Sequence, residues 1–499
     1  MKSRFFKTLK FLAFCVCLGL LICWINGTFT AKYMYDQREP HTETYKGFYN
    51  MNRNTVDVLI LGTSHAASGF NPQDFYDEQK LRTYNLASSA QPVWASYYWL
   101  EEALKYQKPS VLIFDCNYLF SNYNDEGAIR KALDNMRFGK TKLDAIDAAV
   151  KYDTETEESR ISYLFPFIRY HSRWTSLNEW DFTWVKGVEE PSLLKGFWFY
   201  PGIALYDGFE PLPVNDSSGE CEEFAETAGI YLEKISALCR QNQIQLILVK
   251  TPCHVFTQAR HNKVWEWADR NQIPFIDFNV QDIYRETGFE FGAGDMDDIG
   301  KSNAHANPSG ARKMSRYLAD YIAEQGYAVG TADEQWECTK AFNDHLFKDF
   351  KLANTTELST YLDLLNDPGY TVFISAKEDA GAGMPEESRQ ALSELGLREN
   401  WNDAYQCGYL AVIDKQSIVY EKLSRQKQEY SGSFRDGLVR IAAASAGYNA
   451  GNVSSIRIDG TEYSRNRRGL NIVVYNNERH CVIDSVNFDT SDVNMVCSR

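Results

Sequence analysis

Apolar residues along the first two thirds of the chain follow two alternating patterns, which predict two kinds of element. Short uninterrupted apolar runs are typical of strands buried on both faces of a parallel sheet. They occupy residues 56–61, 110–115, 244–250 and 274–278. Stretches with apolar residues at helical spacing lie around them. They occupy residues 93–106, 224–241, 264–271 and 308–325. This alternation predicts an α/β domain whose parallel sheet carries helices on both faces.

Residues 350–499 have a different pattern, with many short strand-like runs and little helix. One helix is predicted at residues 385–395, and it ends at Gly396. Strands are predicted at residues 370–376, 409–414, 418–422, 438–443, 455–458, 471–475 and 482–488. The pattern therefore predicts a second, β-rich domain, which a polar linker at residues 327–349 separates from the α/β domain at residues 31–326.

Residues 118–223 interrupt the α/β pattern and are rich in Trp, Tyr and Phe. An insertion of this size inside an α/β domain is typical of a lid or a substrate platform. A small packed subdomain is the alternative interpretation.

Residues 1–30 are predicted to be a short cytoplasmic tip and a transmembrane anchor. Four basic residues precede an apolar run from Phe11 to Ile25. Together with its apolar flanks the run is long enough to cross a bilayer, which takes about 20 residues. The preceding positive charge predicts a single-pass protein of the cell membrane with its N-terminus inside and its bulk extracytoplasmic. A retained anchor is favoured because no small-x-small cleavage site follows Trp24; a cleaved signal peptide and a lipoprotein signal at Cys23 are the alternatives.

The composition narrows the class of partner. The 499 residues carry a formal net charge of -15, and no basic stripe that could neutralise phosphates is visible, so a nucleic-acid role is not expected. The 11 cysteines include no C-x-x-C pair, which argues against a zinc site. Cys481 and Cys497 are a candidate disulfide pair if the domain lies outside the cell.

The candidate chemistry begins where the strand at residues 56–61 stops, in the sequence Leu-Ile-Leu-Gly-Thr-Ser-His. Ser64 should lie at the carboxyl-terminal edge of the sheet, where α/β proteins bind their ligands. His305 directly precedes a helix that Asn307 can cap. A serine hydroxyl becomes a nucleophile when a neighbouring base takes its proton, so the pair predicts a serine hydrolase or acyltransferase. The alternatives are that Ser64 only caps a helix and that His305 is an ordinary loop residue.

The sequence around Ser64 resembles the first block of the SGNH (GDSL-like) hydrolase superfamily. It is most similar to membrane-anchored members that act on envelope polymers, such as the teichoic-acid D-alanine transfer proteins and the alginate O-acetyltransferases. Residues 85–91 (Asn-Leu-Ala-Ser-Ser-Ala-Gln) resemble the second block, Asp115-Cys116-Asn117 falls at the third, and Asn307-Pro-Ser-Gly310 matches the final one. The resemblance covers residues 55–325 and implies a flavodoxin-like parallel sheet and no metal or organic cofactor.

The resemblance also implies roles for individual residues. Ser64 would be the nucleophile and His305 the base. The backbone N–H groups of Ser64 and Ser88, with Asn117, would stabilise the oxyanion. Ser88 stands where the family has a glycine, so only its backbone N–H can serve.

The acid of the triad is the open point, because the family's aspartate position holds Ser302 or Asn303 in this chain. Asp298 is the predicted acid, and Asp295 or Asp297 could take its place. Asn303, or a dyad without a carboxylate, are the alternatives.

Substrate contacts are predicted at His65, His171 and Arg173. An arginine fork bonds two oxygens at once and suits an anionic polymer or acyl donor. A structural pair between Arg173 and a carboxylate is the alternative.

The C-terminal residues carry a second resemblance. Residues 369–379, 394–396, 468–474 and 488–490 are similar in sequence and spacing to the interleukin-like EMT-inducer (ILEI) domain. The match covers about residues 350–495. It implies a β-sandwich-like fold that binds carbohydrate or a partner and carries no catalytic site. A non-binding spacer is the alternative.

These features together predict a membrane-anchored serine acyl-esterase or O-acyltransferase. Its partner would be a cell-surface polysaccharide or a teichoic-acid-like polymer. Families of this topology often work beside a polytopic membrane acyltransferase, which the resemblance implies as a further partner. The rival hypothesis is a non-catalytic polysaccharide-binding or assembly protein with a relict site, which the displaced aspartate favours.

Overall fold

The computed structural model describes residues 2–31, 41–121, 125–152, 158–177, 181–182, 192–205, 208–213, 219–292, 294–297 and 305–499. The chain divides into two compact units, Met1–Asn343 and Asp344–Arg499, which we call the N-terminal and the C-terminal unit.

A five-stranded parallel sheet lies at the centre of the N-terminal unit, in the spatial order β2-β1-β3-β4-β5. The strands are β1 (Val58–Leu61), β2 (Thr83–Asn85), β3 (Val111–Asp115), β4 (Gln245–Lys250) and β5 (Phe275–Asp277). The predicted α/β class and parallel sheet are confirmed. In such a sheet, ligands bind outside the carboxyl ends of the strands, at the point where the strand order reverses. Here that point lies between β1 and β3.

Both faces of this sheet are buried, which explains the uninterrupted apolar runs. Leu59 and Leu112 pack into one hydrophobic core, whereas their neighbours Val58 and Ile113 pack into the other. The helices around the sheet and in the insertion are α1 (Lys2–Phe29), α2 (His41–Asn50), α3 (Ser64–Gly69), α4 (Pro72–Gln79), α5 (Val93–Ala103), α6 (Glu126–Asn135), α7 (Lys140–Tyr152), α8 (Arg160–Leu164), α9 (Phe167–Tyr170), α10 (Glu226–Gln241), α11 (Gln258–Asn271), α12 (Gln281–Thr287), α13 (Pro308–Glu324) and α14 (Glu334–Glu337). Short 3-10 turns cover Cys116–Tyr118 and His171–Thr175.

Helix α1 is apolar and exposed except in its last turn, where Thr28 is buried. Its stretch Arg4–Phe29 has 26 residues, and the most apolar 18-residue window within it has a mean hydropathy of 2.3 and is not buried in the protein. At a rise of about 1.5 Å per residue this is roughly 39 Å, long enough to cross a bilayer.

The residues predicted to be a linker form defined structure instead. They contain α14 and the beginning of α15 (Lys340–Asn354). Trp336, in α14, is fully buried and belongs to a core of the N-terminal unit. Ala328, in the same polar stretch, is buried in the other core of that unit.

The C-terminal unit contains a curled, mixed ten-stranded sheet, in agreement with the predicted β-rich half. The strands are β6 (Tyr370–Glu378), β7 (Gly408–Asp414), β8 (Ser417–Ser424), β9 (Gln428–Phe434), β10 (Val439–Gly447), β11 (Val453–Ile458), β12 (Thr461–Glu462), β13 (Gly469–Asn476), β14 (Cys481–Phe488) and β15 (Cys497–Ser498). Besides α15 its helices are α16 (Leu358–Leu365) and α17 (Glu386–Glu394). Alternate residues of β6 face two cores. Ile374 packs with the helices, and Phe373 packs with β9–β11, over which the sheet curls.

The candidate disulfide between Cys481 and Cys497 is wrong, since both are free thiols. The register gives the reason. Cys497 lies opposite Phe488, whereas Cys481 begins β14 seven residues earlier. At about 3.3 Å per residue the two positions are some 23 Å apart along the strand.

Candidate active site

Ser64 follows β1 at the carboxyl edge of the parallel sheet and begins α3, as the sequence predicts. Thr63 caps α3, and its hydroxyl accepts a hydrogen bond from the N–H of His65 at 3.3 Å. The turn depends on Gly62, whose φ of +153° is a value that side-chain-bearing residues rarely adopt. The Ser64 side chain is half-buried at this edge, so its hydroxyl can face a ligand.

Asp115, at the end of β3, holds the turn before Ser64 in place. Its Oδ2 accepts hydrogen bonds from the Thr63 hydroxyl (2.7 Å) and the Thr63 N–H (3.2 Å). Its Oδ1 accepts from the N–H of Asn117 at 3.2 Å. Burial raises the pKa of Asp115, while the charge of the buried Lys250 and the Thr63 hydrogen bonds oppose this rise. The carboxyl group of Asp115 thus ties the ends of β1 and β3 together behind Ser64.

His305 lies next to Ser64, with 2.8 Å between its Nε2 and the Ser64 Oγ. The backbone on both sides of His305 is fixed. The His305 carbonyl accepts from Asp297 N–H at 2.7 Å, and the Asn307 N–H donates to the carbonyl of Asp295 at 3.0 Å. Asn307 caps α13 as predicted, accepting from the N–H groups of residues 309 and 310. The structure therefore brings together the two residues that the sequence pairs across 241 positions.

Two buried rings pack against the imidazole of His305. The ring of His65 lies 4.7 Å from it, centroid to centroid, and the ring of Tyr200 meets it edge-on at 5.3 Å. The Nδ1 of His65 is 3.4 Å from the hydroxyl of Thr251, which follows β4. His65 is only 2% exposed, and this burial favours a role in positioning His305 over the predicted contact with substrate.

The predicted acid, Asp298, lies outside the described residues, as do Ser302 and Asn303. The two other candidates are described and have partners of their own. The Asp295 carboxylate accepts from Lys313 Nζ (2.7 Å) and Glu290 N–H (2.6 Å). Asp297 accepts from the N–H of Gly202 at 2.6 Å. The identity of the triad acid stays a prediction.

The predicted oxyanion donors differ in their surroundings. Asn117 Nδ2 lies 3.4 Å from the Thr63 hydroxyl, one residue from the nucleophile. The Ser88 N–H instead donates to the carbonyl of Gly62 at 3.2 Å, and Ser88 is buried. An N–H that already bonds a carbonyl is not presented to an oxyanion. The geometry therefore supports Asn117 in this role and does not support Ser88.

His171 and Arg173, the other predicted substrate ligands, lie in the insertion beside α1. His171 Nδ1 is 2.8 Å from the carbonyl of Ile168. Arg173 donates to Asp181 Oδ1 and to the carbonyl of Phe29, both at 2.8 Å. Asp181 is fully buried, so the geometry agrees with the structural pair that was the alternative for Arg173. Within the described ranges, no recorded contact joins either residue to Ser64.

A cavity of about 230 Å³ opens at the same edge of the sheet, beyond β4 and β5. Its lining residues are Gly208, Phe209, Glu210, Leu212, Cys253, His254, Phe256 and Asn279. Asn279 fixes one wall, because its side chain accepts from Cys253 N–H (2.6 Å) and donates to the carbonyl of Thr251 (3.1 Å). The lining combines aromatic surface with one carboxylate and one imidazole, and the described residues that form it include neither lysine nor arginine.

Sequence reasoning missed three residues that support the site, namely Asp115 as a positioning group, Tyr200 and Thr251. Only Asp115 carried a signal, as an acid that ends an apolar strand. Among the described residues, no group of three or more His, Cys, Asp or Glu side chains is placed to hold a metal ion. In comparisons with known proteins, no family model matches the chain and no curated protein matches it.

Proposed function

We propose that this protein is a membrane-anchored, extracytoplasmic serine esterase or O-acyltransferase of the SGNH type, acting on a cell-surface polysaccharide. The observation that carries the proposal is the 2.8 Å contact between Ser64 Oγ and His305 Nε2 at the carboxyl edge of a parallel sheet. The order β2-β1-β3-β4-β5 is that of flavodoxin-like sheets, in which this edge holds the ligand.

The reaction follows from the chemistry of these groups. Ser64 Oγ attacks the carbonyl carbon of an acyl ester while His305 Nε2 takes the hydroxyl proton. The tetrahedral oxyanion forms near the Ser64 N–H and the Asn117 side-chain amide, which supply hydrogen bonds where charge develops. His305 then gives its proton to the leaving alcohol. A second hydroxyl, from water or from a sugar, loses its proton to His305 and attacks the acyl-Ser64 ester. The bond between Ser64 Oγ and the acyl carbon then breaks, and His305 returns the proton to Ser64 Oγ.

The cavity at the sheet edge favours an uncharged acceptor. Phe209 and Phe256 offer apolar surface to the carbon face of a ring, and Glu210 can accept hydrogen bonds from hydroxyls. A lining without lysine or arginine is a poor place for a phosphate or carboxylate. The volume of about 230 Å³ is below that of pockets for drug-sized ligands and suits one sugar-sized unit.

The C-terminal unit is proposed to hold the polymer, on the basis of its ILEI-like sequence. Tyr405 and Tyr448 are 63% and 57% exposed, and their loops are joined by a hydrogen bond from Asn449 Nδ2 to Gln406 Oε1 at 2.9 Å. Exposed aromatic rings with polar neighbours suit carbohydrate recognition. Replacing both tyrosines with alanine should weaken retention on polysaccharide and leave hydrolysis of a small soluble ester unchanged.

The decisive experiment is labelling of the detergent-solubilised full chain with a fluorophosphonate probe, which reacts with activated serines. We expect one adduct, located on Ser64 by mass spectrometry and absent from Ser64→Ala. Ser68→Ala is the matched control, because this buried serine lies one turn further along α3 and its hydroxyl bonds the carbonyl of Ser64. A folded wild-type protein that takes no label would support the rival hypothesis of a binding protein with a relict site.

A further inference from the structure

The last turn of α1 is attached to the segment of residues 160–175, which we call the α8–α9 segment. The side-chain oxygen of Asn26 accepts from the N–H of Phe167 at 3.1 Å. The carbonyl of Phe29 accepts from Arg173 Nη1 at 2.8 Å, and Arg173 is itself held by the buried Asp181. Polar contacts from the middle and from the C-terminal part of this segment therefore fix it to the end of the apolar helix.

The same segment exposes four large apolar side chains. Ile161 is 61% exposed, Phe165 37%, Ile168 41% and Trp174 70%. Single exposed apolar residues are ordinary on protein surfaces, whereas a cluster of them marks a contact with a membrane or a partner. These four fall within 14 consecutive positions and on consecutive short helical turns.

The position of α1 identifies what covers this cluster. A stretch of 26 residues, about 39 Å long, exceeds the roughly 30 Å hydrocarbon core, so the ends of a spanning α1 reach the headgroup level. Residues hydrogen-bonded to Asn26 and Phe29 must lie at that level as well. Tryptophan is enriched at this depth in membrane proteins because its ring is apolar and its N–H is polar.

Electrostatic attraction between the α8–α9 segment and lipid headgroups contributes little. Arg160 pairs with Asp147 at 2.9 Å, and Arg169 pairs with Glu126 at 2.5 Å. The arginines of the segment are thus neutralised within the protein, and the attraction to a membrane rests on the apolar side chains.

We propose that the α8–α9 segment is a second membrane contact, in which Ile161, Phe165, Ile168 and Trp174 insert at the headgroup level of the leaflet from which α1 emerges. The inference rests on membrane anchoring by α1, one part of the proposed function, and is independent of the Ser64 chemistry. It gives the N-terminal unit two points of attachment, so that this unit lies against the bilayer instead of swinging on a single helix.

Photo-crosslinking of the full chain in phosphatidylcholine nanodiscs tests the proposal. The crosslinker p-benzoylphenylalanine replaces one residue at a time, at Trp174 or Ile168. Leu18, in the middle of α1, is the positive control, and Val329, 83% exposed elsewhere on the N-terminal unit, is the negative control. We expect lipid adducts at positions 18, 168 and 174 at least tenfold above those at 329, unchanged by 1 M NaCl.

Each other outcome has a distinct meaning. Adducts at position 18 with only background at 168 and 174 would refute the second contact and leave the anchor intact. Background at position 18 would refute membrane anchoring and with it this proposal. Protein adducts at 168 and 174 in native membranes, with no lipid adducts in nanodiscs, would assign the cluster to a protein partner and overturn the proposal. Fluorophosphonate labelling of the same samples reports separately on Ser64.

Discussion

The substitution Gly62→Ala tests whether the turn before Ser64 is held as the structure indicates. The φ of +153° costs a side-chain-bearing residue on the order of 1–3 kcal/mol. A Cβ at this position would also lie 2.4 Å from the Cβ of Asp115, far inside van der Waals contact. Neither β1 nor β3 can yield easily, because both are central strands of the sheet.

The added methyl group must therefore displace the Asp115 side chain. This weakens at least one of the hydrogen bonds that its carboxyl group accepts from Thr63 and Asn117, at a cost of about 1–3 kcal/mol. Together with the backbone cost, we expect the free energy of unfolding to fall by about 2–6 kcal/mol. Ser64 is the next residue after Thr63, so the rate of fluorophosphonate labelling should fall at least tenfold as well.

The measurement is urea unfolding of the full chain in detergent, followed by the labelling rate under conditions where the variant is folded. Gly139→Ala is the matched control, because a Cβ there meets nothing within 4 Å. We expect the control to change the unfolding free energy by less than about 1 kcal/mol, within the range of neutral surface changes and Gly-to-Ala effects. If Gly62→Ala is as stable as the control and labels at the wild-type rate, the assignment of Asp115 and Gly62 as positioning residues is refuted.

Two further predictions concern pH. Burial lowers the pKa of Lys195 from 10.5 to about 7. Between these two pH values the unfolded chain holds a proton on Lys195 that the folded protein has lost, so the free energy of unfolding rises with pH in this range. We expect the free energy of unfolding in urea, measured at pH 7 and 9.5, to rise more for the wild type than for Lys195→Met, by up to about 1.4 kcal/mol per pH unit. A difference between the two proteins that is the same at both pH values would contradict this. Burial lowers the pKa of His345, but the carboxylates of Glu478 and Asp367, each 3.0 Å from a ring nitrogen, outweigh it and raise the pKa above 6.5. The protonated His345 and its two carboxylate partners therefore stabilise the protein below pH 6.5, and this contribution is lost as the pH rises through the raised pKa. Thermal unfolding of His345→Gln between pH 5.5 and 8.5 should lack this pH dependence.

The fold could be predicted where a local pattern and the tertiary structure agree. The uninterrupted apolar run ending at Gly62 is what a central parallel strand requires, and the cap at Asn307 is a local signal. The buried Trp336 in the predicted linker carried no local signal, because a polar stretch surrounds it. Its burial depends on a core formed by residues distant in sequence.

The candidate site was predictable to a similar extent. Ser64 and His305 each stand beside a local signal, a strand end and a helix cap, and the structure places them in contact. The support from Asp115 depends on the alignment of β1 with β3, which a single sequence does not encode locally. The bond between the Ser88 N–H and the carbonyl of Gly62 was unpredictable for the same reason, since the packing of the turn sets this partner.

The two reacting residues are held by different parts of the chain. The position of Ser64 depends on Gly62 and Asp115, at the ends of sheet strands. His305 packs against Tyr200, and the loop that carries it exchanges hydrogen bonds with Gly202, both of which belong to the returning end of the insertion. Changes of sequence in the insertion would thus shift His305 while leaving Ser64 where the sheet holds it. Under the proposed function, substitutions in this one peripheral segment would change the position of the base and leave the strand ends that present the serine undisturbed.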